Sequence, residues 1–147
     1  MMLRQLSLFL ENRPGQLRAP CEALGKAGVD IVTMSLADTA QFGILRLIVR
    51  DAEKAKKVLE AAGMVVNVTE VVPVEVDDRP GGLARALAVI EEAGLGVEYM
   101  YPFAAPPRPG KAAIVFRFEE MEKALEAVKA GGLTVLQAEE LLGARGR

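Results

Sequence analysis

Apolar and polar positions alternate near the start of the chain. Leu6, Leu8 and Leu10 share one side of an extended segment, as in a half-buried strand. The period then lengthens. Leu17, Cys21, Leu24 and Gly28 recur at helical spacing and end on a glycine, the usual stop for an amphipathic helix. Residues 31–36 and 44–49 read as two more strands. Ala55, Val58, Leu59 and Ala62 make a second helix face, and residues 66–71 a fourth strand. The order then begins again. A strand at 72–76 is followed by a helix face of Leu83, Leu87, Ile90 and Gly94. Strands at 97–101 and 113–118 come next, then a helix face of Met121, Ala124, Leu125 and Val128. A weak last strand at 134–137 and a short helical end at 138–142 complete the pattern, and residues 143–147 are expected to fray.

The repetition extends to residue identities. Glu11-Asn12-Arg13-Pro14-Gly15-Gln16-Leu17 matches Asp77-Asp78-Arg79-Pro80-Gly81-Gly82-Leu83, an offset of 66 residues from Glu11 to Asp77. Ala27-Gly28-Val29 matches Ala93-Gly94-Leu95 at the same offset. Glu53-Lys54-Ala55 and Gly63-Met64 match Glu122-Lys123-Ala124 and Gly132-Leu133 at an offset of 69. One insertion of three residues in the Pro-rich segment 102–110 accounts for the change. The chain therefore reads as two tandem units, 1–71 and 72–147. Each is strand, helix, strand, strand, helix, strand. Antiparallel hairpins joined by crossover helices predict an α+β, ferredoxin-like βαββαβ sandwich in each unit. Two prolines conflict with the pattern. Pro20 either delays or kinks the first helix, where Ala86 sits in the second. Pro73 favours an edge or a break in its strand.

Composition narrows the chemistry. The 147 residues carry a net charge of −2, with acids and bases interspersed, so there is no basic footprint for nucleic acid. The third strands also lack the Gly and aromatic pattern of RNA-recognition domains. One cysteine, Cys21, and no histidine leave no disulfide within the chain and no metal cluster. Cys21, in step with Leu17 and Leu24, reads as core. The commonest general base is missing, and no nucleophile, metal or phosphate-loop motif stands out. These features predict a soluble, cytoplasmic, non-catalytic protein without cofactor or membrane contact.

The segment Asn12-Arg13-Pro14-Gly15, then Leu17, then Ala27-Gly28-Val29-Asp30-Ile31, resembles the ACT family of amino-acid-binding regulatory domains. It is similar above all to the domain that ends serine-regulated phosphoglycerate dehydrogenases. Glu98-Tyr99-Met100-Tyr101 resembles the stand-alone tandem ACT type. The resemblance implies ligands held between two ACT units, touched by this turn and by the second strand. The implied ligand residues are Asn12, Arg13, Pro14, Gly15, Gln16, Leu17, Asp30, Ile31 and Thr33. Physically, Pro14 and Gly15 set a tight bend before a helix start whose N–H groups suit a carboxylate. Asn12 can donate and accept, and Asp30 can accept from an ammonium. Each also has a plainer reading: Asn12 and Asp78 as turn or cap residues, Arg13 and Arg79 as solvated charges, Asp30 as an exposed strand entry.

The copies differ at these places. Asn12 becomes Asp78 and Asp30 becomes Gly96, which reverses or removes the partners a zwitterion needs. Candidates in the second unit are Asp78, Gly81, Tyr99 and Tyr101. With Phe103, the two tyrosines fall on one strand face, as interface or core filler or as a pocket. The resulting reading is a regulatory protein that binds a free amino acid, pairs with a second copy through ACT–ACT contacts and serves a regulated enzyme. The alternative is a ligand-free interaction module or a regulatory subunit of an amino-acid-metabolism enzyme.

Overall fold

A computed structural model describes residues 2–38 and 41–143. Of the tail expected to fray, 143–147, Gly143 instead ends the last helix, and 144–147 lie outside the described residues. The elements are β1 (Leu3–Glu11), α1 (Arg18–Lys26), β2 (Ile31–Asp38), β3 (Phe42–Val49), α2 (Ala52–Ala61), β4 (Val66–Asp77), α3 (Gly82–Glu92), β5 (Val97–Pro102), β6 (Lys111–Phe118), α4 (Met121–Ala130), β7 (Thr134–Val135) and α5 (Ala138–Gly143). They form two compact units, one of Arg4–Thr69 and one of Glu70–Arg147 with Met1–Leu3. The strand pairings read from the register below are antiparallel in both, so the α+β, ferredoxin-like pattern holds.

In the first unit β3 is flanked by β1 and β2, with Leu8 opposite Leu45 and Leu45 opposite Leu36. The even-numbered leucines of β1 therefore share a face with Leu45 and Leu47. That face packs on Leu24 of α1 and Ala55 and Leu59 of α2. In the second unit β6 lies between β4 and β5, and β7 adds to the other side of β4. Val72, Val74 and Val76 pack with Phe116, Phe118, Ile90 and Val128.

The duplication is visible bond by bond. Asn12 N–H donates to the Gln41 carbonyl at 2.9 Å, and Asp78 N–H to the Gly110 carbonyl at 3.0 Å. Arg50 N–H meets the Asp30 carbonyl as Glu119 N–H meets that of Gly96. Both second strands shift register at the same place, between Ile31 and Thr33 and between Val97 and Tyr99.

Two elements depart from the sequence pattern. Pro20 delays its helix: α1 starts at Arg18, two positions later than α3 at Gly82 does on the repeat, and Pro20 falls in the first turn where an N–H is not needed. Pro73 does not break its strand. The expected strands 66–71 and 72–76 are one twelve-residue strand, β4. The Pro73 carbonyl accepts from Leu136 N–H at 2.9 Å, so the nitrogen of Pro73 faces that side too. There the pairing with β7 runs only through Val74 and Glu75, so little is lost for want of a donor.

Helix α2 is capped by Asp51, whose carboxylate accepts from Lys54 N–H at 3.1 Å; Glu120, its counterpart before α4, makes no such cap. Asp51→Ala is expected to cost about 1 kcal/mol, and Glu120→Ala close to nothing. Denaturant melts of the two variants check this contrast.

Candidate functional site

The turn after β1 is shaped by its own backbone. Arg13 N–H donates to the Glu11 carbonyl at 2.9 Å and Gln16 N–H to the Arg13 carbonyl at 3.2 Å. Gly15 sits at φ +89°, a left-handed conformation that side chains resist, yet no atom lies within 4 Å of where its Cβ would be. The bend thus needs glycine for its torsion, and the space above it is open. A cavity of about 340 Å3 opens there, walled by Leu10, Asn12, Gly15, Leu17, Leu36 and Gly43. Its walls are mostly apolar, with the turn at one end. Glu11, Arg13 and Pro14 line it as well; Arg13 Nε lies 2.7 Å from Glu11 Oε2, and Pro14 is exposed. No side chain caps α1; in its first turn Ala19 N–H donates to the Gly15 carbonyl at 3.2 Å and Pro20 has no N–H.

Asp30, Ile31 and Thr33 are not brought to this cavity within the unit. Both β1 and β2 run antiparallel to β3, so they run parallel to each other. The turn therefore adjoins the far end of β2, near Leu36, and Asp30 precedes its near end. At about 3.3 Å per residue, the length of β2 separates them by roughly 23 Å. Asp30 lies 3.7 Å from the Arg50 guanidinium and is half exposed. Thr33 is buried and Ile31 partly so.

The same corner of the second unit is charged. Asp77 takes the place of Glu11. Its carboxylate hydrogen-bonds Lys111 and lies 3.4 Å from Arg79 and 3.5 Å from Arg85. The Lys111 hydrogen bond and charge, helped by the two arginines, hold its carboxyl below the ordinary aspartate value against the desolvation that opposes them. Glu75, largely buried, receives Arg108 at 2.6 Å, and that contact raises the Arg108 guanidinium further above its usual range. Gly81 has φ +86°, like Gly15. Gly82 has a different reason: a Cβ there would stand 1.9 Å from the Asp77 carbonyl oxygen. Asp78 is exposed. Tyr101 and Phe103 are buried, and Tyr99 is partly so.

Glu75, Arg85, Arg108 and Lys111 were not foreseen as a group. They come from four separate segments and form no local motif. A position-by-position comparison of the repeat marks three of them, since Phe9, Ala19 and Phe42 stand where Glu75, Arg85 and Lys111 do. In the first unit those phenylalanines stack at 5.1 Å.

The Asp77 cluster sets a pH dependence. A carboxyl held below its ordinary value stabilises the folded chain above that value and stops doing so as pH falls through the depressed one. The melting-temperature gap between the wild type and Asp77→Asn is therefore expected to stay constant from neutrality down to about pH 5 and to close below about pH 4. Thermal melts across that range read it. A gap that changes between pH 6 and 8 would contradict the assignment.

Among the described residues, no group of three metal-binding side chains comes together, and no helix is long and apolar enough to cross a membrane. Comparison with known proteins gives one family and several solved structures. Residues 1–144 match the family described as the ACT domain pair. Protein BT0572 from Bacteroides thetaiotaomicron is 38% identical, with 97% of this chain and 96% of that one covered and a TM-score of 0.87. The regulatory subunit of aspartate kinase from Thermus flavus shares the fold at 17% identity, covering 89% and 93%, with a TM-score of 0.61. The ligand-free regulatory subunit from Thermus thermophilus is similar at 16% identity, covering 90% and 94%, with a TM-score of 0.60. No curated protein matches the chain.

Proposed function

Because the chain belongs to the ACT domain-pair family, a family of regulatory modules, we propose that it is a non-catalytic sensor of a free amino acid. The reading rests on the cavity beside the Asn12–Leu17 turn. At about 340 Å3 it lies at the small end of ligand sites, the size a single amino acid needs. The Asn12 amide and the start of α1 suit the carboxylate. Leu10, Leu17 and Leu36 suit an apolar side chain.

Glu11, the carboxylate that lines the cavity, is paired with Arg13, and β2 suggests a further acceptor for the ammonium. β2 ends the strand order of its sheet and exposes Met34 and Leu36, so its outer edge is open to pairing. Antiparallel pairing with β2 of a second copy would bring the start of one strand beside the end of the other. Asp30 of the partner subunit would then reach the cavity that Asp30 of the same chain does not. The functional unit in this reading is a homodimer with two equivalent sites, each built from both copies. The lone Cys21 suits the reducing cytoplasm, and occupancy of the sites would be passed to a regulated enzyme.

A thermal-shift screen against the free amino acids tests the sensor. A ligand at a hundred times its Kd should add about 2.7 kcal/mol of stability, a rise of several degrees. Light scattering should give twice the mass of one chain, and Leu36→Lys should lower both mass and affinity. A dimer whose melting no amino acid shifts would favour the ligand-free interaction module instead.

A further inference from the structure

We propose that the second unit carries a separate site for a small anion, at the cavity where β4, α3 and β6 meet. The cavity measures about 330 Å3, and its walls include Arg85, Arg108 and Lys111 together with Glu75, Asp77 and Thr134. Three cations from three segments therefore face one space, and Arg79 stands beside it on Asp77. Two carboxylates oppose these four cations. Asp77 alone is shared by three of them, two at 3.4 and 3.5 Å, near the limit of a hydrogen bond. Arg85 has five N–H donors. Its side-chain polar contact among the described residues is that single long one.

The fold does not demand these charges. The first unit builds the same corner, with the same backbone bonds, from Phe9 where the second has Glu75, Phe42 where it has Lys111 and Ala19 where it has Arg85. Arg108 belongs to the segment that carries the three-residue insertion, so it too is peculiar to this unit. A surplus of positive charge around a cavity of ligand size calls for negative charge. Guanidinium groups take carboxylate or phosphate oxygens through paired N–H donors. The ligand class is thus an anionic metabolite presenting a phosphate or a carboxylate. It is not the zwitterion proposed for the first unit, and the two sites share no lining residue.

Asp77 acts as the internal competitor. With the site empty it occupies Lys111, Arg79 and Arg85; an entering anion draws on the same cations. Removing its charge should therefore strengthen binding while it weakens the fold, two effects that a purely structural ion cluster would not separate.

Titration calorimetry on the full chain tests the proposal with inorganic phosphate and with succinate, each against sodium chloride of equal ionic strength. The expected result is saturable binding of at least one of them, about tenfold weaker in Arg85→Gln and several-fold tighter in Asp77→Asn. Preference for phosphate or for succinate identifies the group recognised. Asn12→Ala should leave this binding unchanged, so failure of the amino-acid site and failure of this one are read separately. Two outcomes overturn the proposal: heats no different from those of chloride, or binding that Arg85→Gln and Asp77→Asn both leave as it was. Circular dichroism of each variant confirms that it is folded, and Arg85→Lys, which keeps the charge, should recover part of the affinity.

Discussion

Gly82→Ala is expected to destabilise the chain by about 3 kcal/mol or more, the upper range for overpacking, whereas Gln16→Ala at the matching place should stay within about 0.5 kcal/mol of the wild type. The contrast follows from where the helices begin. α3 starts at Gly82, directly over the end of β4, and a methyl there would stand 1.9 Å from the Asp77 carbonyl oxygen and 2.9 Å from its carbon. Neither atom is the tip of a flexible side chain, so strand and helix would have to part. α1 starts two residues later because of Pro20, and the first unit already holds a glutamine at that position. Gly81→Ala should fall between the two, since it meets only the long Arg85 side chain at 3.4 Å and the cost is that of a left-handed torsion. For a chain of this size the Gly82→Ala loss corresponds to a melting temperature lower by roughly 10 °C. A variant melting with the wild type would show that the start of α3 can slide.

Asn12→Ala is expected to weaken amino-acid binding about ten- to a hundred-fold. Losing a hydrogen bond to a charged group costs about 1.5–3 kcal/mol, and about 1.4 kcal/mol is a factor of ten. Asp30→Ala should do the same, while Asp78→Ala should do much less. Calorimetry with the ligand found in the screen measures all three. A sharper form uses the proposed sharing of the site between copies. In a mixed dimer of Asn12→Ala and Asp30→Ala chains, one site loses both groups and the other keeps both. Mixing and re-equilibrating the two weak variants should therefore restore tight binding to about a quarter of all sites, half the dimers being mixed and one site in each of those intact. This count assumes random pairing of equal amounts. If Asn12 and Asp30 served one site within one chain, mixing would restore nothing.

The alternation of Leu6, Leu8 and Leu10 and the helical spacing of Leu17 to Gly28 were enough to read the first unit, because each pattern reports which face is buried. The repeat then supplied the second. What the sequence pattern left open was decided by contacts between distant segments. Whether Pro20 would kink or delay its helix depended on where the first turn begins. Whether Pro73 would break its strand depended on which side its nitrogen faces, and that is set by Leu136, sixty-three positions later. The Asn12–Leu17 turn was legible because its chemistry is local. The separation of that turn from Asp30 was not, since it follows from the parallel course of β1 and β2. The charged corner of the second unit was hidden for a related reason: Glu75 and Lys111 become neighbours only once β4 pairs with β6.

A twelve-residue strand joins the two halves, and it sets an arithmetic rule on how this chain can vary. Side chains along β4 point alternately to opposite faces, and the core valines of the second unit, Val72, Val74 and Val76, all have even numbers. Insertion of one residue near Val71 would exchange odd for even over the rest of the strand. It would turn those valines outward and the largely buried, ion-paired Glu75 toward the phenylalanines of the core. Two inserted residues would restore parity. The loop at 102–110, by contrast, has absorbed three: β6 keeps the eight residues of β3, while β5, with six, ends two short of β2. Length polymorphism among relatives should thus be free in that loop and, at the junction, absent or confined to even numbers.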